Sequence, residues 1–229
     1  MKILNKTVSE RFASFYEGIV SQIGEPQFRL TQTPGRGEFH SEGATPVISL
    51  RIDLNSSRFE HHVAHELIHA LQHKEGWPRL VSRYSHSSPI VELGVTLGSM
   101  VLDLNAEDRL KLWSFDSAWI MDDQYRNLKK AILDENIPAT GSNRWRKAVM
   151  MYAYASLTQP AKKWDRLRKV FVQRAPYIER KGEELSSILQ KNGWNDPDEA
   201  LASLIAVRDS IGLHDNQIRI IDGRTGWRL

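Results

Sequence analysis

The chain reads as an α+β protein: a core over residues 1–138, made of a helix, a small sheet and two further helices, then a mostly helical region over residues 139–229. Three observations predict this. Apolar residues recur at helical spacing from Val8 to Ile23, two segments alternate like half-buried strands, and the second half falls into helical stretches divided by prolines.

In order, Thr7 and Glu10 form a capping-box pair, and Val8, Phe12, Phe15, Ile19 and Ile23 mark one face of the first helix. Gly24, Glu25 and Pro26 stop it. Phe28 and Leu30 alternate with Gln27, Arg29 and Thr31 as a short strand would. Residues 34–45 are a glycine-rich connection, and residues 46–54 alternate again as a second strand. Asn55, Ser56 or Ser57 can cap the next helix.

That helix carries the stretch FEHHVAHELIHALQH, residues 59–73. It contains the pattern H-E-x-x-H as His65, Glu66 and His69. Residues four apart share a helix face, so the two imidazoles project side by side. Held that way, they can take two corners of a tetrahedral zinc site, with Glu66 beside it to accept a proton from an attacking water. Val63, Ala64, Leu67, Ile68, Ala70 and Leu71 surround the polar triplet, which predicts a buried helix. Buried histidine and glutamate need partners, and a metal would satisfy all three. Gly76 and Pro78 end this helix.

The segment up to Pro89 reads as a polar loop carrying Tyr84 and His86, both candidates to donate to an oxyanion. Residues 90–102 form an apolar helix whose Gly94 and Gly98 allow close packing on the motif helix. Asn105 caps a separate short helix over residues 106–113. Catalytic zinc normally has three protein ligands, so one more is required. Glu92 is the first candidate, as the only charge in its apolar run, 23 residues beyond His69 (92 minus 69). Asp103 is the second and Glu107 the third. His73 lies about 12 Å along the axis from His65 and cannot share its ion. It is expected, with His61 and His62, to stay off the metal.

The second half is read as helices over residues 121–135, 143–157, 160–174 and 178–191, a last helix from Pro197, and a short terminal strand. RWRK at 144–147 and KKWDRLRK at 162–169 interleave basic residues with tryptophan. That pattern suits phosphates and bases, but a solvated helix face with tryptophan packed inward is the preferred reading.

Composition excludes several classes. The 229 residues contain no cysteine, so disulfides and thiolate ligands are ruled out, and a formal charge of +3 is a weak argument for nucleic acid. No apolar run approaches the 18 or so residues of a membrane span, and the N-terminus lacks a signal-peptide core. A cytoplasmic location without membrane partners is the expectation.

Taken with the strand at residues 47–54, the triplet His65, Glu66, His69 resembles the zincin metallopeptidases, whose strand before the motif helix forms the cleft wall. In that family an extended peptide adds to the exposed strand edge. The resemblance implies a zincin-like core, a Zn2+ cofactor and a protein or peptide substrate. A glutamate on the following helix, here Glu92, resembles the third ligand of gluzincins. Gluzincins carry a second acid four positions later, where this chain has Thr96. The metzincin extension is absent, since Gln72 and Glu75 replace its glycine and last histidine. The minimal ImmA/IrrE-type members are similar, and often cleave one dedicated partner. Two other readings stand beside this one: a non-catalytic regulatory protein on the same fold, and a nucleic-acid-associated protease of the SprT-like kind.

Overall fold

A computed structural model describes residues 1–31, 38–42, 45–50, 54–82, 88–115, 117–134 and 140–229. It is α+β and mostly helical. Two compact units share the chain. One comprises Met1–Gly76 with Asn105–Trp119, and the other Trp77–Leu104 with Ile120–Leu229. The boundary expected at 138/139 touches residues outside the described ones.

In the first unit, β1 (Lys2–Ile3) and β2 (Lys6–Thr7) make a hairpin whose turn residues, Leu4 and Asn5, both have positive φ. Two-residue hairpin loops of the primed type require that conformation. Helix α1 (Glu10–Ile23) comes next, and its N-cap is Ser9 rather than Thr7, which is taken up by β2. The Ser9 hydroxyl accepts from the Phe12 backbone N–H. Phe12, Phe15, Tyr16, Ile19 and Ile23 are buried along its inner face.

Strands β3 (Gln27–Leu30), β4 (Glu38–Glu42) and β5 (Thr45–Leu50) form a sheet in the order β3-β5-β4. β3 runs parallel to β5, and β4 runs antiparallel to it. β4 lies in the stretch expected to be only a connection. Its pairing with β5 supplies the order that its short, polar sequence does not announce. Asn55 then caps α2 (Ser56–Lys74), accepting from the Arg58 N–H, and Gly76, at φ 80°, lies just past its end. Val63, Ala64, Leu67, Ile68 and Leu71 of α2 join Ile48, Leu50 and the α1 aromatics in one core. Ala106, Leu110 and Phe115 belong to the same core.

Ala106 and Leu110 arrive on α3 (Pro89–Leu112), a single uninterrupted helix where two were expected. Asn105, read as a cap, sits in its interior and is buried. A helix that buries both of its ends in apolar cores has no reason to break at one polar residue. Contrary to the expectation that no stretch approaches membrane-span length, α3 is long and apolar enough to cross a membrane by length and composition, with 56% of that window buried.

The second unit holds β6 (Arg79–Ser82), α4 (Ala118–Asp134), α5 (Asn143–Thr158), α6 (Ala161–Arg174), α7 (Pro176–Asn192), α8 (Pro197–Ser210) and β7 (Ile218–Ile221). The second half of β6, Val81 and Ser82, falls in the stretch expected to be a polar loop. The strand pairs antiparallel with β7, a partner more than 130 residues away (218 minus 82). Those strands account for the two glycines of α3: a Cβ on Gly98 would meet Leu80 at 3.3 Å, and one on Gly94 would meet Ile218 at 3.7 Å. The close approach at these glycines is therefore to the β6–β7 pair. α5 and α7 meet where Gly182 lies against the ring of Tyr152, leaving no space for a methyl group. Met150 and Tyr152 are core residues, and Trp145 is buried beside them.

Candidate metal centre

His61, His65 and His69 recur every four residues on α2 and so share one face of the helix. Asp103 and Glu107 are spaced the same way on α3. The apolar residues between them send the rest of α2 into the core, and they keep His61, His65, Glu66 and Glu107 largely away from solvent.

His65 and His69 hold their rings nearly perpendicular, with centroids 4.6 Å apart. Their Nε2 atoms face each other at 3.0 Å. The opposite side of each ring is tied down. His65 Nδ1 lies 3.0 Å from Glu107 Oε1, and His69 Nδ1 lies 2.8 Å from Gln72 Oε1. Gln72 is oriented in turn, because its amide nitrogen donates to Asn105 Oδ1 at 3.0 Å.

These bonds bear on which ring nitrogens carry protons. Burial alone would raise the Glu107 carboxyl, but hydrogen bonds from His61 and His65 outweigh it and hold the group down at about 2, against an ordinary 4.5. An ionised carboxylate only accepts, so His65 Nδ1 carries its proton. The Gln72 carbonyl demands the same of His69. In a neutral imidazole the remaining nitrogen is then a bare acceptor. Two acceptors pointing at one another at 3.0 Å repel unless a cation or a proton stands between them.

The third member is Asp103. Ligand atoms of His65, His69 and Asp103 lie within 4.8 Å of one another. Asp103 stands one helical turn before Glu107 on the same continuous helix, which fixes the two acids relative to each other. Two imidazoles and a carboxylate form a donor set suited to a divalent metal ion. This buried group could hold a metal ion.

Comparison with protein-family models, with curated proteins and with solved structures finds no match.

The remaining candidates fall elsewhere. Glu92, the first candidate for third ligand, stands in the first turn of α3, 61% exposed at its side chain and paired with Lys147. It precedes Asp103 by 11 residues (103 minus 92), roughly 16 Å along the axis, so one ion could not take both. Glu107 faces His65 and His61 as a hydrogen-bond acceptor. Glu66 is buried next to His65 in sequence. Tyr84 and His86 lie outside the described residues. His73 is half-buried against the ring of Phe39.

Motif spacing alone does not single out Gln72, Asn105 and Glu107 as supports for the histidine rings. The signal was present in the i, i+3 step from His69 to Gln72 and the i, i+4 step from Asp103 to Glu107. Several residues of the basic stretches are engaged within their own unit. Arg146 donates to the carbonyls of Ile211 and Gly212, and Lys163 pairs with Asp122. Arg168 pairs with Glu179 and Glu183, and Trp164 packs edge-on against Tyr152.

Proposed function

We propose that the chain is a zinc-dependent peptidase of the H-E-x-x-H type, acting on a protein or peptide substrate. The observation that carries the reading is the 3.0 Å approach of the His65 and His69 Nε2 atoms, in one group with Asp103 that could hold a metal ion. The order of elements supports a zincin-like core: α1, a small sheet with β5 just before the motif helix, and α3 afterwards. The acidic pair supports it as well. Asp103 and Glu107 have the four-residue spacing of the acidic pair in gluzincins, a spacing that Glu92 and Thr96 lack.

In this reading His65, His69 and Asp103 would hold the ion. Bound zinc would lower the pKa of a water toward about 7 and polarise a peptide carbonyl. Glu66 takes the proton as the water oxygen bonds to the carbonyl carbon, and returns it to the amine as the C–N bond breaks. Glu107 and Gln72 hold the Nδ1 atoms of the two rings and so turn both Nε2 atoms toward the ion's place. β4, at the edge of the sheet, supports docking of an extended chain by strand addition.

The test pairs metal analysis with turnover. Purified protein should carry about one zinc per chain. Glu66→Gln should keep the metal and lose hydrolysis of a peptide library read by mass spectrometry. Unchanged turnover in that variant would remove Glu66 from the mechanism. Zinc without hydrolysis in the parent protein would favour the non-catalytic binding reading instead.

A further inference from the structure

We propose that His61 is a positioning residue for the metal site, acting through Glu107 on the ring of His65. The inference rests on the metal-binding reading above and extends it to a residue outside the motif.

His61 is fully buried, and its Nε2 lies 3.3 Å from Glu107 Oε2. The other oxygen of the same carboxylate receives His65 Nδ1 at 3.0 Å. Glu107 is therefore pinned at both oxygens, one by each histidine. A carboxylate held at one oxygen can rotate about its last bond and swing its acceptor out of line. Held at both, it presents Oε1 to His65 in one direction only. His61 Nδ1, meanwhile, meets no polar partner among the described residues. The ring lies edge-on to Trp119, with centroids 6.1 Å apart.

A histidine kept in a core for packing would satisfy both nitrogens or be replaced by an apolar residue of similar size. This one leaves one nitrogen bare and commits the other to the carboxylate that orients a candidate ligand. Partners of that kind typically change metal affinity by about 10–100-fold when removed.

The experiment is a cobalt(II) titration of the full chain, with the visible d–d spectrum as the readout and far-UV circular dichroism to check folding. His61→Gln keeps an N–H donor at nearly the reach of Nε2, whereas His61→Asn is polar but too short to meet Glu107. His61→Asn should bind cobalt roughly tenfold more weakly than the parent, with a shifted spectrum, and His61→Gln should recover most of the loss. In a Glu107→Gln background the two His61 variants should no longer differ. Equal affinity for His61→Asn, His61→Gln and the parent overturns the positioning role and leaves the metal site standing. No cobalt binding by the parent protein overturns both.

Discussion

Glu107 accepts from His65 Nδ1 at 3.0 Å, and that bond decides which nitrogen of the ring is left for a ligand. Replacing the carboxylate by an amide removes the charge and allows the group to donate as well as accept. Glu107→Gln should therefore weaken zinc binding by about 10–100-fold. Competition with a chromophoric chelator measures this, and an unaltered Kd would detach Glu107 from the site.

Metal removal should be visible as lost stability. A ligand that binds only the folded state at 100 times its Kd stabilises by about 2.7 kcal/mol. Added zinc should raise the melting temperature of chelator-treated protein, and His65→Ala and His69→Ala should erase that rise. Asp103→Asn should erase most of it, while Glu92→Gln should leave it intact, since Glu92 faces Lys147.

Acid sensitivity has a defined window. The folded pKa of Glu107 lies below its ordinary value, so the contribution is present above about 4.5 and is lost as pH falls toward 2. In metal-free protein, the gap in melting temperature between the parent and Glu107→Gln should narrow across that interval. A constant gap from about pH 6 down to the acid end of that window would contradict the assignment.

Glu60 offers a test away from the metal. It is buried on α2, where it accepts from the Ser9 backbone N–H at 2.6 Å and from the Ser9 hydroxyl at 2.9 Å, securing the N-terminus of α1. Glu60→Ala should cost about 1.5–3 kcal/mol, the range for hydrogen bonds to charged groups, and Ser9→Ala about 1 kcal/mol. Urea unfolding would measure both.

Gly182 has no room for a side chain, because a Cβ there would run into the Tyr152 ring. Gly182→Ala should destabilise by about 1–3 kcal/mol through overpacking, despite the better helix propensity of alanine. A neutral or stabilising result in chemical denaturation would show that Tyr152 can move aside.

How much of this was legible beforehand varies with how local the cause is. The motif helix, its Asn55 cap and the helical spacing of Phe12, Phe15 and Ile19 are set by residues within a turn or two, and they could be read directly. β4 and β6 could not, since each depends on a partner strand that a local pattern does not reveal. The break placed at Asn105 failed for a related reason. A polar residue resembles a cap until its partner, Gln72 on another helix, is known.

The candidate site divides along the same line. The sequence by itself determined that two imidazoles and a carboxylate would share a stretch of buried helix, because the 3.6-residue period is a property of the backbone. Only the tertiary structure decided that Asp103 joins the candidate group, that Glu92 pairs with Lys147 of α5, and that Glu107 and Gln72 meet the Nδ1 atoms of His65 and His69. Those choices depend on which side chains meet after distant segments pack, and hydrogen bonds between such segments have no period to read.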